Sequence, residues 1–187
     1  MLQPSYLNNQ LLIAMPAMQD PQFARSVTYV CQHDDGGAMG IGVSRVAHFQ
    51  LIEILEQMKI HTSLPQVAAQ PVFLGGPVHT DRGFVLHEPV GEWASSFRVC
   101  EQLCLTTSRD LLEAIAIGEG PRRYLVALGY AGWEEGQLEN ELKQNAWLTA
   151  PAHRELLFST PTDQRWQRAA QLLGVNLSNL TDYAGHA

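Results

Sequence analysis

Apolar and polar residues alternate in short runs through the first fifty positions, and helix-spaced apolar groups become common after that. Residues 11–15 form an apolar run stopped by Pro16, which predicts a short buried strand. Residues 25–33 alternate, placing Val27, Tyr29 and Cys31 on one face. Asp34-Asp35-Gly36-Gly37 is a turn signal, and residues 38–45 alternate again. Met39, Ile41 and Val43 make one side of that strand; Ala38, Gly40, Gly42 and Ser44 make the other. The second side has almost no side-chain volume, so another segment must approach it closely, a packed element before a ligand. Leu51, Ile54, Leu55 and Met58 sit at i, i+3, i+4 and i+7, the spacing of an amphipathic helix.

Beyond a loop over residues 60–71, residues 72–74 read as a strand entering Gly75-Gly76-Pro77. A further strand covers residues 84–87, and residues 97–100 and 103–106 make two short strands joined tightly. Thr107-Ser108-Arg109-Asp110 opens a helix with a hydroxyl cap and an acid in its first turn. Residues 124–128 are apolar on both faces, as in a central strand. Gly129-Tyr130-Ala131-Gly132-Trp133 then predicts a sharp bend, and residues 134–145 a helix buried through Leu138 and Leu142. Thr160-Pro161-Thr162-Asp163 opens a last long helix closed by Gly174, with one more turn over residues 178–182. Residues 1–9 are polar and expected to be loose. Irregular alternation of strands and helices predicts a single compact domain over residues 1–187, a mixed-sheet α/β sandwich.

Composition narrows the function. With 45% hydrophobic residues the 187-residue chain can build a core. The net charge is −7 and the twelve basic residues are scattered, with Arg122-Arg123 the one basic doublet. Direct nucleic-acid binding, which needs clustered cations, is therefore disfavoured. No run reaches the roughly 18 apolar residues of a membrane span. Three cysteines, Cys31, Cys100 and Cys104, cannot all pair within one chain, and no charged-then-apolar leader opens it. Both points predict a cytoplasmic, reducing setting.

Several segments together resemble the YqgE/AlgH family of bacterial cytoplasmic proteins. They are Leu12-Ile13-Ala14-Met15-Pro16, Gly37-Ala38-Met39-Gly40, Gly75-Gly76-Pro77, Asp81-Arg82-Gly83-Phe84-Val85-Leu86-His87 and Thr106-Thr107-Ser108-Arg109-Asp110. The Gly129 to Trp133 stretch, Gly136-Gln137-Leu138-Glu139, Asn145-Ala146-Trp147-Leu148 and the terminal Ala184-Gly185-His186-Ala187 extend the match. The resemblance implies a small soluble α/β protein and carries no mechanism, cofactor or catalytic residue with it. One branch is named for the regulation of alginate production, which implies influence on gene expression but does not itself imply DNA contact. After Gly40 the chain departs from the family pattern, with Gly42, Ser44 and Val46 where branched apolar residues, asparagine, a basic residue and proline are usual.

The densest group of unusual residues surrounds the predicted bend. Trp133 and Trp147 bracket a helix on which Glu134 and Glu141 lie beside the buried stripe, while Glu139 and Lys143 point away and can pair. Buried carboxylates need partners, and Arg82 is the candidate. Gly75, Gly76, Arg82, Trp133, Glu134, Gly136, Gln137, Glu141 and Trp147 form the candidate interaction site, a shallow aromatic and polar cleft. A structural ion pair stapling loop to sheet is the competing reading. The preferred function is a non-enzymatic adaptor or regulator binding a protein partner, with no cofactor and no metal. The alternative is a small-ligand binder or an enzyme using Arg82, Glu134 and Gln137. Cys31 and His33 share a strand face in this reading, yet no third residue orients them for catalysis. Cys100 and Cys104 are a candidate redox pair. His87-Glu88 lacks a second pair of metal ligands, Ser108 is better explained as a cap, and Gly75-Gly76-Pro77 as a tight connection than as an anion cradle.

Overall fold

The computed structural model describes residues 6–176. Strand β1 (Gln10–Ala14) is the first apolar run, and it is wholly buried from Leu11 onward. It pairs antiparallel with β2 (Val27–Asp34), which pairs with β3 (Gly37–Gly42) across the predicted turn. Strand β4 (Val46–Gln50), which alternation did not suggest, leads into helix α1 (Leu51–Gln57) and a one-turn helix α2 (Pro65–Ala68). Leu51 and Leu55 are the buried pair of α1, as its spacing requires. Strand β5 (Pro71–Leu74) runs parallel to a later strand; β6 (Val78–Glu88) starts well before Phe84. Short strands β7 (Ser96–Arg98) and β8 (Cys104–Thr106) make the predicted hairpin. Helix α3 (Arg109–Ala116) buries Leu111, Leu112, Ile115 and Ala116.

Strand β9 (Arg123–Glu134) organises the rest. The predicted bend at Gly129 is not a bend: the strand runs on for twelve residues, through Trp133. Its first half pairs with β5 and its second half with β3 on the same edge, while β6 holds the other edge as far as Tyr130. At Gly129, whose φ is +77°, the ladder with β6 is interrupted: Leu128 pairs with Gly83 and Tyr130 with Val78, and the extra residues lie on β6. Before Gly129, Leu125 and Ala127 face the central core; after it Tyr130 does, while Ala131 and Trp133 turn to a second cluster. Helix α4 (Gln137–Lys143) is shorter than expected and begins at the left-handed Gly136. Edge strand β10 (Trp147–Pro151) pairs with β1 and had no clear sequence signal. Helices α5 (Arg154–Phe158) and α6 (Arg165–Gln171), joined by a 3-10 turn, pack on the central core.

The sheet order is β10–β1–β2–β3–β9–β6–β8–β7, with β4 and β5 attached beside β9. The mixed α/β class holds. The architecture is one curled, largely antiparallel sheet carrying helices, a half-barrel, and the pairing of the described residues gives no second sheet to complete a sandwich. Residues 7–9 are not loose. The Leu7 amide donates to Nδ1 of His33 at 2.9 Å, the Asn9 amide to Val30 O, and Tyr29 OH to the Asn9 side chain. Residues 178–182 lie outside the described residues.

The link from β5 to β6 crosses over β9. A Cβ on Gly75 would sit 2.1 Å from Gly129 O, one on Gly76 2.1 Å from Tyr130 C, and one on Gly129 2.4 Å from Gly76 O. Three glycines are needed where two backbones touch. The Gly75 amide donates to Leu128 O and its carbonyl accepts from Gly42. The Gly75 amide is thus not left for an anion, and the close backbone contacts give Gly75 and Gly76 a packing role. The same crossing explains Gly42 on the bare side of β3, which lies under the Leu74 carbonyl; Gly40 is closed in instead by Tyr29 O, Thr28 and the Trp133 ring.

Candidate functional site

Trp133 and Trp147 meet edge to face with ring centroids 6.3 Å apart, and both are buried. Each indole N–H donates to the same carboxylate oxygen, Glu141 Oε1, at 3.2 and 3.1 Å. Gln137 Nε2 reaches the other oxygen at 3.4 Å, and Gln137 Oε1 accepts the Glu134 amide at 3.0 Å. Four of the predicted site residues thus converge, but on each other. Apolar burial of the rings is compatible with their polar edges because one acid answers both. Arg82 is absent from this cluster; the expected Arg82–carboxylate pair does not form.

Glu139 does not point away to pair with Lys143. It hydrogen-bonds Nε2 of the buried His33. Because the Leu7 amide occupies Nδ1, the ring proton lies on Nε2 and is donated to Glu139. Burial alone would raise the Glu139 carboxyl. The His33 hydrogen bond, a backbone amide and the Lys143 charge outweigh it and hold the group below its ordinary value. Cys31 and His33 lie on opposite faces. The ladder slips between Val30 and Gln32, so Cys31 is the extra residue of a bulge and the faces exchange after it. Cys31 enters the central core, where burial pushes its thiol up to about 12, the reverse of what a nucleophile needs.

The opposite face of β9 is open. Tyr130, Gly132 and Glu134 border a trough of about 630 Å³ together with Gln32, Met39, Arg82 and Phe97. Gln32, Met39 and Gly132 are register partners across three strands and make its floor. Arg82 lies over the Phe84 ring at 5.6 Å, and neither the Arg82 guanidinium nor the Glu134 carboxylate has a hydrogen bond or ion pair among the described residues. Beyond Tyr130 no described strand pairs with the edge of β9 away from β3. The Glu134 amide points to that side, where Gln137 holds it. By the two-residue period of an antiparallel ladder, the Gly132 amide and carbonyl face the same side.

The remaining candidates are accounted for structurally. His87 is fully buried, bonded to Thr106 Oγ1 at 2.7 Å and Pro89 O, and burial lowers its pKa. Glu88 bridges Arg154 and Arg123, so the basic doublet is half neutralised. Ser108 occupies the cap position of α3, but its hydroxyl donates to Asp110 and accepts from the Ser95 amide. Cys100 and Cys104 are unpaired. No group of three metal-ligating side chains occurs among the described residues, and no described helix is long and apolar enough to cross a membrane.

The model of the AlgH-like family matches residues 11–178. The chain belongs to the AlgH-like family. A UPF0301 protein of Xanthomonas campestris pv. campestris is 56% identical over 184 residues, covering 98% of each chain. One from Methylococcus capsulatus is 53% identical over 181 residues, covering 97% of this chain and 96% of its own. The solution structure of AlgH from Pseudomonas aeruginosa superposes with a TM-score of 0.81 at 49% identity, covering 100% and 99%. A Corynebacterium diphtheriae protein shares the fold at a TM-score of 0.75, 18% identity and coverage of 96% and 94%. The family is therefore the one the motifs pointed to, and with it comes the half-barrel sheet.

Proposed function

We propose that the protein is a non-catalytic adaptor or regulator that binds a short extended segment of a partner protein in the trough beside β9. The observation that carries this reading is the edge at Gly132, which no described strand covers and which lies inside a cleft with aromatic walls and a cation and an anion that have no ion pair among the described residues. A strand added to that edge would gain main-chain hydrogen bonds, and alternate side chains would fall on Tyr130, Phe97 and Met39. Arg82 and Glu134 would select charge of opposite sign at two points along the segment. The reducing cytoplasm is its expected setting. An enzymatic or small-ligand role built on Arg82, Glu134 and Gln137 has weaker support, because both ends of the Gln137 side chain are already engaged.

Selection of a displayed random-peptide library against the folded protein tests this. Enriched peptides should shift the amide resonances of residues 130–134 and of Phe97. Gly132→Pro removes the outward amide alone and should abolish binding while the circular dichroism stays unchanged. Arg82→Glu should switch the selected charge. Peptides that bind Gly132→Pro as well as wild type, or a library that yields no binder, would sink the proposal.

A further inference from the structure

A second hollow lies against the other face of β6. Asp81, Gly83 and Val85 border it, whereas Arg82 faces the trough, as alternation along a strand requires. It measures about 550 Å³, inside the range of small-molecule sites. Ile54 and Met58 of α1, Leu112 of α3, and Val126 and Leu128 of β9 make the walls. Gly83 adds to the space: a Cβ there would meet nothing within 4 Å, and its φ is not in the left-handed region. Unlike the glycines of the crossing, this one is not required by backbone contact. A side chain could stand there and none does.

The polar groups at this hollow carry one sign. Glu53 and Asp81 border it, and among the described residues no lysine, arginine or histidine lines it; the nearby Arg109 guanidinium is held by the Met58 carbonyl and by Glu113. Glu53 Oε2 accepts the Gln50 amide at 2.9 Å, in the capping box of α1. Asp81 makes no hydrogen bond or ion pair among the described residues. Thr107 and Ser108 supply further oxygens. We infer that this hollow between α1, α3 and β6 is a binding site for a small amphipathic amine, its apolar body among Ile54, Leu112 and Val126 and its ammonium at Asp81 and Glu53. Apolar contact holds the ligand, and charge chooses its polar end. An anionic amphiphile of equal length meets two carboxylates and is rejected.

Octylamine, 1-octanol and octanoate are the probes, titrated into the full chain while methyl resonances are followed. Octylamine should shift the methyls of Ile54, Leu112, Val126 and Leu128 saturably; 1-octanol should bind more weakly and octanoate weakest. Asp81→Asn should weaken octylamine about fivefold and leave 1-octanol unchanged. Gly83→Leu fills the hollow and should abolish all three; Ile54→Trp does the same from the helix side if Gly83→Leu fails to fold. The site does not exist if octylamine leaves those methyls unmoved, or if a folded filling variant still binds it. Equal affinity for octanoate and octylamine overturns the ligand class, and so the inference.

Discussion

Strand β9 shows two surroundings to its alternate residues. On one side Trp133 meets Trp147 and Glu141, and beside them His33 meets Glu139; every polar group named there has a partner. On the other side, Gly132 and Glu134, the neighbours of Trp133, face a trough where the Arg82 and Glu134 side chains have no hydrogen bond or ion pair among the described residues. The contrast separates two uses of the same residue types. Aromatic rings and acids that satisfy each other hold a helix to a sheet. Charges left unmatched beside a free strand edge are available to something else. A cluster of tryptophans and carboxylates is thus poor evidence for a binding site until their hydrogen bonds are accounted for.

This division can be broken by mutation. The largest effect is expected from Glu141→Leu, which leaves two buried indole N–H groups without an acceptor and should cost about 2–3 kcal/mol in urea unfolding. A loss under about 0.5 kcal/mol would mean the clamp contributes nothing. A smaller effect, visible only as a pH dependence, is expected at Glu139. Its pKa is depressed in the folded chain, so its contribution is complete above the unfolded value of about 4.3 and is lost as pH falls through the folded one. Wild type should be more stable than Glu139→Gln at pH 6, and the gap should shrink below pH 4; parallel curves would exclude this account. The smallest effect belongs to the trough. Arg82→Met should change stability by no more than about 0.5 kcal/mol, because the guanidinium has only a ring face to lose. A large loss there would place Arg82 with the structural residues.

Much of this was legible in the chain. The 3.6-residue spacing placed α1 and α3, and alternation placed β2 and β3. Of the nine site residues, Trp133, Trp147, Glu141 and Gln137 meet with the Glu134 amide, Gly136 starts the adjoining helix, Gly75 and Gly76 lie in the crossing, and Arg82 lies apart on β6. Two irregularities in the ladders defeated the pattern. A slip at Cys31 put His33 on the wrong face, and one at Gly129 disguised a continuous strand as a bend. Period-two reasoning has no means of detecting an inserted residue, since the alternation resumes after it. The acids of α4 were sorted by helical angle over residues 134–145, but the helix runs only Gln137–Lys143. Glu134 is therefore a strand residue, and Glu139 turns inward to a histidine more than one hundred residues earlier. Strand β10 went unseen because Trp147 and its neighbours pair only with β1, at the far end of the chain. The hollow at Gly83 had no signal at all, because empty space leaves no residue behind.

The glycine crossing also sets the order in which this chain can be completed. Segment 72–88 leaves one edge of β9, passes over it and returns along the other, so it is a hairpin with its middle rung supplied from residues 123–134. Until that rung has left the ribosome, β5 has β4 beside it and β6 has β8, but nothing joins the two arms. Assembly of this half therefore waits for a piece synthesised some fifty residues later, and non-local pairing of this kind is the slow step of a β-rich fold.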